Sequence, residues 1–142
     1  MSLVDTNRLI RDYLTTSADL TDPLIALVGE KIYCPRLPEG AVLPAIGYFT
    51  RGGTADPFHP KYCSPSVQFD CWAANSIDAR NVYRKLYDAM QGLVSVSITV
   101  SGTAYYIMKV VEEVQGQDLV DTEIPNYFRV LTFYSITIRN DS

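Results

Sequence analysis

The sequence predicts an α+β fold: an antiparallel or mixed β-sheet of about five to six strands with helices packed on one face. Three observations predict it. Apolar residues recur at helical spacing in two stretches near the start and one near the middle. Other stretches are short, rich in β-branched and aromatic residues, and bounded by Gly or Pro. The order along the chain is helix, helix, three strands, helix, three strands, so a long amphipathic helix falls between strands that can cover its apolar face. With 142 residues, residues 1–142 are expected to form a single domain.

Asp5 or Thr6 can cap a first helix in which Leu9, Ile10, Tyr13 and Leu14 share a face and Asn7, Arg8, Arg11 and Asp12 take the other. Thr21-Asp22-Pro23 offers a second cap with proline at the first turn, and Leu24 to Val28 run to a stop at Gly29. Lys31 to Cys34 is a short strand, after which Pro35, Pro38 and Pro44 forbid a regular ladder and predict an extended loop. Ala45 to Arg51 reads as a strand ended by Gly52-Gly53. Residues 52–64 mix glycine, proline and scattered aromatics and predict an irregular loop ordered by a partner.

Ser66 to Ala73 alternates, with Val67, Phe69 and Cys71 on one face and Gln68, Asp70 and Trp72 on the other. Trp72 beside Phe69 is expected in the core. Ser76 can cap the clearest helix, whose stripe is Ala79, Val82, Tyr83, Leu86, Tyr87 and Met90, ending before Gly92. Val94 to Ser101 alternates strictly, Gly102 marks a tight turn, and Tyr105 to Val114 follows as the partner strand. Residues 115–126 predict a second irregular loop, and Tyr127 to Arg139 a long closing strand.

A count of 12 basic against 16 acidic residues argues against a surface that grips nucleic acid by its phosphates, which needs clustered Lys and Arg. No apolar run reaches the roughly 18 residues of a membrane span, and the start alternates charge with apolar residues, so a cytoplasmic protein is expected. Cys34, Cys63 and Cys71 are odd in number and lack C-x-x-C spacing, which predicts free thiols.

The only histidine, His59, lies near Cys63, but no flanking glycines build a nucleophile elbow. One His and three scattered Cys give no metal-ligand spacing, and Glu112-Glu113 read as a solvated strand end. Gly52-Gly53 lack the context of a phosphate cradle. Hence no catalytic, cofactor or metal residue is assigned and no enzyme is expected. Adjacent aromatics on a strand face both sides, so one member each of Tyr105-Tyr106 and Tyr127-Phe128 looks away from the helices. The candidate subunit or partner contacts are Arg51, Phe58, His59, Lys61, Tyr62, Tyr105 and Tyr127.

The order of segments resembles the tail terminator or tail completion proteins of long-tailed bacteriophages. The resemblance is carried by Ala18 through Gly29, Lys31-Ile32-Tyr33, Leu37 to Ala41 and Leu43 to Ile46. It continues through Val67 to Ala73, Ala79 to Leu86, Phe128 to Leu131 and Phe133 to Ile138, across some 130 residues. Cys71 departs from the pattern, where an aliphatic residue is usual, and so does the long 52–64 loop. What the resemblance implies is a structural virion protein forming a closed ring, a homohexamer, at the head-proximal end of the tail. Its implied partners are tail tube protein, and a head–tail connector or head-completion protein, with DNA only passing through the lumen and no membrane. A neck or head-closure adaptor is the nearest alternative, and a small-ligand or enzymatic α+β domain using His59 the next.

Overall fold

The computed structural model describes residues 5–38, 40–55, 62–93, 96–100, 102–120 and 127–140. Helix α1 (Thr6–Thr15) begins where the Asp5 carboxylate accepts the Arg8 amide at 3.3 Å, and it buries Leu9, Ile10, Tyr13 and Leu14. Helix α2 (Asp22–Val28) carries Pro23 in its first turn and stops at Gly29, whose φ of 59° suits a residue without Cβ. Thr21 does not cap it with its side chain. The Thr21 hydroxyl instead donates back to the Thr16 carbonyl at 2.6 Å, tying the two helices' connection together. Helix α3 (Ser76–Met90) is capped by Asn75, one residue earlier than expected, because the Asn75 amide oxygen reaches the Asp78 amide at 2.8 Å.

Six strands form one mixed sheet in the order β1-β2-β3-β6-β5-β4. They are β1 (Ile32–Tyr33), β2 (Ala45–Ala55), β3 (Tyr62–Ala73), β4 (Val96–Val100), β5 (Thr103–Val120) and β6 (Phe128–Asn140). Only the β1–β2 pair is parallel. The expected α+β class, with its sheet of five to six strands under helices, is the observed one. Its core lies between the sheet and the three helices, where Phe69 stacks on Tyr48 at 5.8 Å and meets Tyr134 edge-on at 5.7 Å. Tyr13 and Tyr48 reach through this layer, their hydroxyls donating to the Ala89 and Asn7 carbonyls. Burial pushes the Tyr13 phenol up to about 12.

Three sequence expectations are corrected. Residues 52–55 and 62–64 belong to β2 and β3 rather than to an irregular loop. A bulge between Thr50 and Gly53 takes up Arg51 and Gly52, and the ladder resumes at Gly53↔Pro65. Gly53 has φ 130°, and a Cβ there would overlap the Ser64 carbonyl oxygen, so only glycine fits. Residues 115–120 extend β5 opposite β6 to Val120↔Phe128, because α3 supplies polar partners for this polar strand. Arg80 donates to the Gly116 carbonyl at 2.9 Å and lies 3.5 Å from the Asp118 carboxylate. Residues 56–61 and 121–126, and positions 94, 95 and 101 of the expected 94–101 strand, lie outside the described residues.

The third correction concerns Trp72. It is half-buried on the sheet face away from the helices, because its strand neighbours Cys71 and Ala73 take the core side.

Candidate functional site

The polar groups nearest to a catalytic arrangement sit on the helix-covered face, at a β5 irregularity between Glu112 and Val114. Glu112, read from sequence as solvated, turns inward there. Its carboxylate accepts from the Tyr83 hydroxyl at 2.7 Å and the Thr132 hydroxyl at 2.9 Å. Thr132 is fully buried and is also 2.9 Å from the Val114 carbonyl. Gln91 accepts the Glu112 amide at 2.8 Å. The cluster pins α3 to β5 and β6 with an acceptor whose donors are already in place, and burial raises the Tyr83 phenol, leaving it a donor. Tyr134, opposite Glu112 in the ladder, is fully buried, and both burial and the Glu112 charge push its phenol up.

Thiol chemistry is disfavoured by the same physics. Burial raises Cys63 and Cys34, and the fully buried Cys71 most of all, which lowers the thiolate fraction that a nucleophile needs. Among the described residues, no group of three or more His, Cys, Asp or Glu could hold a metal ion. A cleft of about 280 Å³ between α2, α3 and the Leu43-Pro44 segment is lined mainly by Leu27, Ala73 and Val82. Its one carboxylate, Asp78, is engaged by Asn75 at 2.8 Å, so the cleft offers shape without a reactive pair.

The other sheet face is built differently. Along β6, Arg129, Leu131, Phe133, Ser135, Thr137 and Arg139 alternate with the buried Val130, Thr132, Tyr134, Ile136 and Ile138. Antiparallel register brings the aromatic rings of neighbouring strands beneath these cations. The Arg129 guanidinium lies 5.3 Å over Trp72, Arg139 4.7 Å over Tyr106, and Arg51 4.5 Å over Phe133. Val111 and Val114, opposite Ser135 and Phe133, are 39% and 40% exposed. Glu113 accepts from Ser66 at 2.7 Å.

At the Trp72 end this face is covered. A Cβ at Gly47 would meet the Leu37 amide nitrogen at 3.1 Å, so the segment before β2 crosses the sheet there. Tyr127 packs edge-on against Trp72 at 6.2 Å and points its hydroxyl at the Ala41 carbonyl, 3.5 Å away. Asp70 lies beneath, 9% exposed and 3.7 Å from Arg129, with Gln68 at 3.5 Å from its other oxygen. Burial raises its carboxyl, while Arg129 and Gln68 pull it back down.

Of the expected contact residues, Arg51 is exposed on the uncovered face, Tyr62 is half-buried in register with Arg139, and Tyr127 is half-buried at the covered end. Tyr105 is corrected: it is 7% exposed within the core, and its neighbour Tyr106 is the ring on the other face. Phe58, His59 and Lys61 lie outside the described residues. Sequence reasoning missed Arg129, Phe133 and Arg139, although their two-residue spacing along the closing strand carried the signal.

No family model matches the chain, and no curated protein does. Among solved structures it is similar in fold to a chain from the structure titled "Virion of native gene transfer agent (GTA) particle". The TM-score is 0.62 at 14% identity, over 93% of this chain and 92% of that one. At that identity the likeness is one of fold.

Proposed function

We propose that this chain is a structural virion protein of a phage-like particle. Its role there is that of a ring-forming tail terminator or tail completion subunit, which stops tail tube polymerisation and joins the tail to the head connector. The observation that carries the reading is the likeness, over nearly the whole of both chains, to a component of a gene transfer agent virion. The resemblance of segment order to tail terminators points the same way. The polar clusters also favour it: Glu112 is occupied in tying α3 to the sheet, Asp78 in capping its own helix, and burial raises the thiols.

In this role the chain repeats around an axis through a contact that closes after a fixed rotation, a hexamer in the family it resembles. Tube protein meets one side and the connector the other. DNA passes through a lumen that the acidic balance of the chain keeps from holding phosphates.

Deleting the gene from the particle's producer and imaging the products tests the proposal. Tubes of uncontrolled length and heads without tails are expected. Tails of normal length joined to heads would count against it, and labelling at the head rather than the tube end would favour a neck adaptor. Cys63→Ser, at a thiol that burial keeps protonated, is expected to leave particle yield unchanged.

A further inference from the structure

The uncovered sheet face differs from the rest of the chain in charge. Its described residues carry Arg51, Lys109, Arg129 and Arg139 against Asp70 and Glu113, a net of +2. The whole chain has 12 basic and 16 acidic residues. Among the other described residues 7 are basic and 9 acidic, a net of −2. One face is therefore positive on a molecule whose other described residues carry a net negative charge.

The chemistry of that face suits removal from water. A guanidinium held over a ring is weakly hydrated, so burying it costs less than burying an ammonium. Arginine and aromatic residues are also the types enriched where protein surfaces meet. Val111 and Val114 add exposed apolar area among them.

We propose that this sheet face is where a second copy of the chain docks, presenting its α1–α2 side, where residues 5–30 carry five acidic residues against two basic, so that copies associate head to tail. The inference deepens the ring reading above and rests on it. Two sheet faces meeting each other would set Arg51 and Lys109 against like charges, which costs association. A two-fold dimer through this face is therefore disfavoured, and the contact must be heterologous, the kind that repeats around a ring. Duplex DNA fits less well. Glu113 and Asp70 stand inside the patch, and the guanidinium faces of Arg51, Arg129 and Arg139 are taken by rings.

The test is the mass of the full-length protein on dilution, at low and high salt, by light scattering. Wild type is expected to form a closed multimer larger than a dimer that weakens as salt rises. Arg51→Glu with Lys109→Glu, both exposed, should raise the concentration for half-assembly about 100-fold, with an unchanged circular dichroism spectrum. If that pair misfolds, Val111→Ser with Val114→Ser replaces it and should weaken assembly in the same direction. Arg51→Lys keeps the charge, loses the guanidinium–ring contact, and should fall between.

A folded reversal variant that assembles like wild type overturns the proposal. So does a wild type that remains monomeric at low salt or ends as a two-fold dimer. Salt-sensitive binding of duplex DNA that is lost in the Arg51→Glu variant would overturn it in favour of a nucleic-acid surface. Particle imaging separates this failure from that of the functional reading. Capped tails built from reversal variants sink the surface alone, whereas loss of the multimer in a protein absent from particles sinks the function alone.

Discussion

The two faces of one sheet follow different rules. On the helix side, β3 and β6 contribute Val67, Phe69, Tyr134 and Ile136, all fully buried, and the Thr132 hydroxyl there is tied to Glu112 and the Val114 carbonyl. On the other side the same strands offer Gln68, Phe133 and arginines laid over rings, half-open to water. A difference of one residue in register separates the two sets. The lesson is that the buried core and the open surface are written on alternate residues of the same strand, so neighbouring substitutions should have unlike consequences.

The contrast is most sharply probed by Phe69→Ala, which removes a ring packed between Tyr48 and Tyr134 and should cost about 3–5 kcal/mol in denaturant unfolding. A loss below about 1 kcal/mol would mean that the helix side is not the stabilising one. Gly116→Ala comes next. A Cβ there would stand 2.7 Å from a Val130 methyl and 2.9 Å from both Arg80 and Tyr83. Overpacking of the α3–β5 contact should cost about 1–3 kcal/mol, read from the same melts.

Asp70 belongs to the uncovered face but is buried at its covered end, and it blurs the contrast in a way that pH resolves. Its carboxyl is raised from the ordinary 3.8 by burial, with Arg129 opposing. The folded chain therefore holds this proton longer than the unfolded chain, and the contribution of Asp70 to stability declines as pH rises from 3.8 through the folded value. Asp70→Asn should remove that decline, flattening the fall of the urea midpoint above about pH 4 relative to wild type. The smallest stability effect is expected for Arg51→Ala. Losing one exposed stack on Phe133 should cost about 0.5–1 kcal/mol at most. A larger drop would show that the open face also holds the fold together.

Much of this fold was legible because periodicity survives without context. The alternation in Ser66 to Ala73 separated core from open face correctly, and the stripe of α3 named residues that are buried. What failed was punctuation. Gly52, Gly53 and Pro65 signal a break when read along the chain, yet together they form a bulge that one ladder accommodates. The Gln115 to Val120 stretch looked like a loop because its polar residues have partners only in three dimensions, on Arg80 of α3. Glu112 failed for the same reason, since its partners Tyr83 and Thr132 are 29 and 20 residues away.

Trp72 and Tyr105 were each placed on the wrong side of the sheet by weighing residue type above register. Trp72 lies in register with Arg129, which shields it outside the core, and Tyr105 pairs with Ile98 on the edge strand. Of the candidate contact surface, composition hinted at little, because an acidic chain conceals a locally basic patch.

The strand order has a consequence for synthesis. β6 sits between β3 and β5, although it is the last strand in chain order, so neither ladder it completes can form while that strand is still being made. A polypeptide stopped before Phe128 would hold two unconnected hairpin-like pieces, β2 with β3 and β4 with β5. Most of the arginines on the uncovered face would be missing or without their rings, because Arg129 and Arg139 arrive with β6, and so does Phe133. A truncated product therefore lacks both the completed sheet and the guanidinium–ring pairs of its open face.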